Sequence, residues 1–156
     1  MLLSLLLAAA TQTAKLPPWN PLPQDGTAEA AVMVPINAMF AGLEARDGTL
    51  ILAQTRPEGS ATVVSEKTDG TRSVRHMSWS DFAGGIKPGP EHYREKLTDA
   101  AVEIDGDIAM VWSPYVFTVD DKPLHCGVDH FDLIRENGAW KILNVTWSAR
   151  TTGCGG

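Results

Sequence analysis

The side chains with the types to do chemistry are few: four histidines, two cysteines and one carboxylate set in an otherwise apolar strand. That carboxylate is Asp129, in the run Gly127-Val128-Asp129-His130-Phe131. A carboxyl in apolar surroundings holds its proton, because desolvation penalises the charged form, and a neutral acid can donate to a carbonyl oxygen. The structural alternative is a carboxylate bonded to Thr146 and to backbone. His125 shares the strand face of Asp129, but four residues along a strand separate the two by about 13 Å, beyond hydrogen-bond reach. Asp99 is expected to point inward beside Trp112, two strands from Asp129 and too far for a carboxylate pair. His76 and His125 are the candidate bases for Asp129 as the acid. His76, His92, His125 and His130 fall on separate strands and loops, with His125 and His130 on opposite faces, so no metal site is expected. Nor is a cofactor, since no GxGxxG or Walker-type loop and no GxSxG elbow occurs. Cys126 and Cys154 alone cannot build a zinc site; they are either two independent thiols or a disulfide pinning the C-terminal tail in an oxidising compartment.

These residues need elements to hold them. From Thr27 the pattern is helical, with Val32, Ile36, Met39, Phe40 and Leu43 on one stripe and Pro35 predicting a kink or a restart. Asp47-Gly48 ends that helix, and Leu50-Ile51-Leu52 suits a short second one. Ala61–Ser65 and Arg72–Met77 read as strands joined at Thr68-Asp69-Gly70. Ser80-Asp81-Phe82 suits one capped helical turn before Gly84-Gly85. A four-strand antiparallel meander follows, turning at Asp105-Gly106, at Asp120–Pro123 and at Asn137-Gly138, pairs that accept the positive φ of tight hairpins.

Counting back from two-residue turns at Asn137-Gly138 and Asp121-Lys122 sets Phe131 opposite both Asn144 and Trp112, and Asp129 opposite Thr146 and Pro114. One face then carries Trp112, Asp129, Phe131, Leu133, Ile142, Asn144 and Thr146. The other carries Val111, Tyr115, Cys126, Val128, His130, Leu143, Val145 and Trp147. Both are rich in apolar residues, whereas a half-wet sheet alternates cleanly. The helices cover one face, so the second is expected to be a homodimer interface.

A chain of 156 residues that is 44% hydrophobic and 21% charged suits one globular domain. Its net charge of −6 and scattered Lys and Arg exclude a nucleic-acid partner. Residues 1–10, leucine-rich and ending Ala8-x-Ala10 without a basic segment ahead, read as a signal peptide, predicting a periplasmic or secreted protein; failing that reading it is cytoplasmic. Residues 11–26, with four prolines around Trp19, read as a linker. The domain is expected over 27–150, a short tail over 151–156, and no membrane span.

Helix, short helix and curved meander is also the plan of the nuclear transport factor 2-like superfamily. The stretches Asp105–Tyr115, His125–Phe131 and Gly138–Ile142 resemble its uncharacterised bacterial members, some labelled lumazine-binding, over about residues 28–154. The resemblance implies an α+β cone: a curved antiparallel sheet of about six strands packed on two to three N-terminal helices. It also implies that the inner core doubles as a pocket wall, with Phe40, Trp112, Phe131, Asn144 and Thr146 facing a ligand and Trp79 at the mouth. Val128-Asp129-His130-Phe131 looks like the ketosteroid isomerase strand whose protonated Asp donates to the dienolate oxygen. The matching positions for that enzyme's tyrosine and general base are Met39 and Ser65, which cannot take those roles, so steroid isomerase turnover is not expected. The implied function is binding of a small apolar molecule with its polar end at Asp129. The alternative is a cofactor-independent lyase or isomerase, polyketide cyclase- or dehydratase-like, acting on a cyclic carbonyl compound.

Overall fold

A computed structural model of the chain describes residues 26–154. The expected signal peptide (1–10) and nearly all of the expected linker (11–25) lie outside the described residues. Gly26, in the left-handed region at φ 68°, starts α1 (Thr27–Glu44). The stripe Val32, Ile36, Met39 and Leu43 is buried along one side of α1, as its three-and-four spacing requires. Pro35 neither ends nor restarts the helix; it is buried on that same side, within one continuous element. Arg46 at φ 54° closes the C-terminus, with Asp47 N–H donating to Gly42 O at 2.9 Å. Asp47 then caps α2 (Gly48–Leu52) by accepting from Thr49 N–H at 2.8 Å.

Strands β1 (Thr55–Glu66) and β2 (Arg72–Ser78) form the expected hairpin, and α3 (Trp79–Gly85) follows, capped by Ser78. The remainder is β3 (Tyr93–Leu97), β4 (Ala101–Asp105), β5 (Ile108–Val119), β6 (Lys122–Glu136) and β7 (Ala139–Arg150). They join one curved, unclosed seven-stranded sheet of order β2-β1-β7-β6-β5-β3, with β4 also on β5. β3 and β4 share one edge of β5, dividing near Pro114, which has no N–H to offer a neighbour. Thr98 bridges the division, donating its N–H to Pro114 O at 2.9 Å while its carbonyl accepts from Ser113 Oγ at 2.8 Å. The sheet wraps α1, and Val32, Ile36, Met39 and Leu43 pack with Val111, Phe131, Leu133, Ile142 and Val145. Among the described residues no helix is long and apolar enough to cross a membrane.

Two local features displace the expected register. The β5–β6 turn is Asp120-Asp121, both at positive φ, one residue earlier than expected, and the ladder shifts again at Leu124. Phe131 therefore faces Val111, and Asp129 faces Ser113. The β6–β7 turn is as expected, and Leu133 does face Ile142, but the ladder then shifts beside Leu143, so Phe131 faces Val145 rather than Asn144. A one-residue slip exchanges the two faces of a strand. Val111, Tyr115, Val145 and Trp147, expected on an outer face, consequently lie inside the cone. Trp112, expected inside, is outside and 51% exposed.

Cys126 and Cys154 form a disulfide with Cα atoms 5.4 Å apart. It staples the chain after β7 back onto β6.

Candidate functional site

The cone encloses a cavity of ≈ 170 Å³. Met39 and Leu43 of α1 form its floor, and Phe131, Val145 and Phe117 its apolar wall. Phe82 and Ile86 line the side toward α3, where Trp79, Phe82 and Trp147 meet edge to face in series, each pair with centroids 5.9 Å apart. Into this surface project two carboxyls and an imidazole: Glu95, Asp129 and His125.

Asp129 is 2% exposed, and Glu95, half-buried, reaches it from β3 across β5. The two carboxyls lie close enough to influence each other's ionisation. A hydrogen bond between two such groups requires a proton on one of them. No donor reaches the buried Oδ2 of Asp129. Burial, then the nearby Asp129 charge, holds the Glu95 carboxyl well above the usual carboxylate range. Burial likewise pushes Asp129 up to about 7, against the lowering effect of Glu95 beside it. Both shifts favour the neutral acids, so the pair keeps protons at pH values where free carboxyls are ionised. A protonated Asp129 can donate to a ligand.

Beside the pair, Tyr115 is 2% exposed, and burial followed by the Asp129 and Glu95 charges keeps its hydroxyl protonated. Its oxygen lies 3.0 Å from Ser148 O and 2.9 Å from His125 Nδ1. A carbonyl can only accept, so both bonds form together when Tyr115 donates to Ser148 and His125 Nδ1–H donates to Tyr115. That tautomer leaves the lone pair on Nε2. Burial lowers the His125 pKa, keeping the ring neutral, and it stacks on Phe117 at 4.8 Å and 8°. The close approach of β6 to β7 here requires Gly127, since a Cβ would stand 1.9 Å from Ser148 O.

The other expected site residues are placed as follows. Phe131 lines the cavity, with Phe40 edge-on behind it at 6.1 Å. Trp79 is 1% exposed in the core, its Nε1–H donating to Leu143 O at 2.9 Å, and it is not at the mouth. Trp112 and Thr146 are exposed and outside the cone, a consequence of the register shifts. Asn144 serves the sheet, its Oδ1 accepting from Ser60 N–H at 3.1 Å. His76 is exposed, bonded to Thr62 Oγ1 at 2.9 Å on the β1–β2 hairpin, away from Asp129. Asp99 occupies the exposed β3–β4 turn at φ 53°, and the carboxyl facing Asp129 is Glu95 instead. Of the positions aligned with the isomerase, Met39 lines the cavity and Ser65 does not. Glu95, Tyr115 and Trp147 were not expected in the site. Among the described residues no group of three or more His, Cys, Asp or Glu side chains is arranged to hold a metal ion.

No protein-family model and no curated protein matches the chain. Solved structures do. A Nostoc punctiforme protein of unknown function with a cystatin-like fold superposes with a TM-score of 0.61 at 12% identity, over 80% of this chain and 92% of its own. A Mycobacterium tuberculosis protein of unknown function gives 0.63 at 19% identity, over 83% and 75%. A Streptomyces avermitilis protein of the NTF2-like family, whose name proposes a dehydratase, gives 0.61 at 18% identity, over 78% and 95%. At these identities the likeness speaks for architecture, and the chain has the nuclear transport factor 2-like, cystatin-like cone fold.

Proposed function

We propose that this protein binds a small cyclic carbonyl compound in its cone and holds the carbonyl oxygen with a proton from the Glu95–Asp129 pair. The observation that carries this reading is a pair of neighbouring carboxyls, Glu95 and Asp129, lining one apolar cavity, with burial pushing Asp129 up to about 7. An apolar cavity of about 150 Å³ takes one benzene-sized ring, so ≈ 170 Å³ supports a single ring and not a steroid. Binding should follow the protonated form of Asp129. Titration calorimetry with cyclohexanone is expected to show affinity below pH 7 that falls as pH rises through about 7. In Asp129→Asn, whose amide donates at any pH, affinity should not vary with pH. A pH-independent affinity in the unmodified protein contradicts the reading.

A second reading, lyase or isomerase chemistry on such a compound, is supported by the His125 imidazole lining the same cavity as the Asp129 carboxyl, pushed up to about 7. The Streptomyces protein's name points the same way for that protein. Protein-dependent exchange of the α-hydrogens of cyclohexanone in heavy water, lost in His125→Ala, is the expected sign. Exchange no faster than in buffer removes it.

Two further parts belong to the proposal. The Cys126–Cys154 disulfide supports action in an oxidising compartment, in keeping with the signal-like start. A homodimer would use the outer sheet face through exposed Trp112, not through the apolar set now inside the cone.

A further inference from the structure

His125 also lines a second cavity, of ≈ 370 Å³, with Ser65, Lys67 and Arg150. One imidazole is therefore a wall of two chambers, the inner apolar and acidic, the outer basic. The outer chamber holds one carboxylate, Glu66, which is committed to Arg72 at 2.8 Å. Among the described residues neither Lys67 nor Arg150 has an ion-pair partner. Two unpaired cations converge on this cavity in a chain of net charge −6.

Both cations stand on fixed backbone. Lys67 opens the β1–β2 turn, its N–H donating to Thr71 O at 2.9 Å and its carbonyl accepting from Gly70 N–H at 2.9 Å. Arg150 ends β7, paired with Glu66 on one side and Cys126 on the other, and Cys154 Sγ lies 3.3 Å from its carbonyl oxygen. The disulfide thus fastens the rim that carries Arg150.

We infer that the ligand is a ring-bearing oxyacid: its ring fills the inner cavity, a short chain passes His125, and a carboxylate or phosphate ends between Lys67 and Arg150. This rests on the reading of the inner cavity given above and adds the class of the far end. Charge-assisted hydrogen bonds are stronger than neutral ones, so the oxyanion should improve affinity by about tenfold over a neutral end group.

The test uses cyclohexanones carrying at the 4-position an alkyl chain of increasing length that ends in a carboxylate, its primary amide or a phosphate monoester. Calorimetry on the full chain at pH 6 is expected to show a chain length at which an anion binds about tenfold or more tightly than the amide. The head group with the larger advantage names the source of the oxyanion. Lys67→Ala/Arg150→Ala, both exposed positions, should abolish that advantage and leave cyclohexanone affinity unchanged. Equal affinity of anions and amides at every length, or an advantage that survives in the double variant, overturns the inference. So does inorganic phosphate binding as tightly as the best anion, because nothing would then join the two chambers. The two readings fail separately. Cyclohexanone binding without an anion advantage removes the outer site alone. An anion advantage without cyclohexanone binding removes the acid-pair reading alone.

Discussion

A carboxyl whose pKa is 3.8 in the unfolded chain and about 7 in the folded one takes up a proton on folding between those values. The folded state then binds more protons than the unfolded, so stability falls as pH rises through that window. The contribution is fully present below about pH 4 and lost above about pH 7, on the order of 4 kcal/mol if Asp129 titrated alone. Chemical denaturation of Asp129→Asn from pH 4 to 8 is expected to show a flatter profile, with the variant the more stable of the two at pH 8. An unchanged slope would mean that the buried carboxyl does not ionise in this interval. Asp129 was legible in the sequence because an acid among Val128, Phe131 and Leu133 has few reasons to be there. Glu95 was not, because it stands between Arg94 and Lys96, and three charged residues in a row have the composition of a solvated segment. The signal was the alternation Tyr93, Glu95, Leu97, which turns these three inward while Arg94 and Lys96 stay exposed.

At the scale of elements, the helices, the hairpin and most turns followed from stripe spacing and turn chemistry, but β3, only five residues long, was missed, and Glu95 with it. Faces were misassigned because register depends on the count of residues between a turn and a ladder. The displacements at Leu124 and Leu143 leave no composition cue. Tyr115 and Trp112 changed places for that reason alone. Gly127 is the position where β6, β7 and the Tyr115–Ser148 contact depend on one missing side chain. Gly127→Ala forces backbone apart and is expected to cost about 3 kcal/mol or more, read by urea denaturation. It should also loosen His125, visible as a change in that imidazole's titration by NMR. A neutral effect on both would show that β7 can shift without cost.

For the whole molecule, the disulfide closes a loop across a sequence separation of 28 residues. Loop-closure entropy for that length corresponds to about 3–4 kcal/mol. Cys126→Ser/Cys154→Ser should lose roughly that stability, and the loss should match that of the unmodified protein under reductant. The exposed outer face makes a second demand. If Trp112 lies in a homodimer interface, Trp112→Glu should give a monomer by sedimentation where the parent is a dimer; a monomeric parent ends that proposal.

The parallel ladder between β1 and β7 joins segments 84 residues apart, as in the Ser60–Asn144 contact. Contacts of such separation are slow to form, because chain entropy must be surrendered before they are gained. The cavity draws walls from α1, α3, β3, β5, β6 and β7, from Met39 to Trp147, so no ligand can recognise it until segments from most of the described chain have come together. A bound molecule therefore acts late on the folding coordinate. It should leave the refolding rate unchanged and retard unfolding, so that occupancy prolongs the lifetime of the folded protein without hastening its formation.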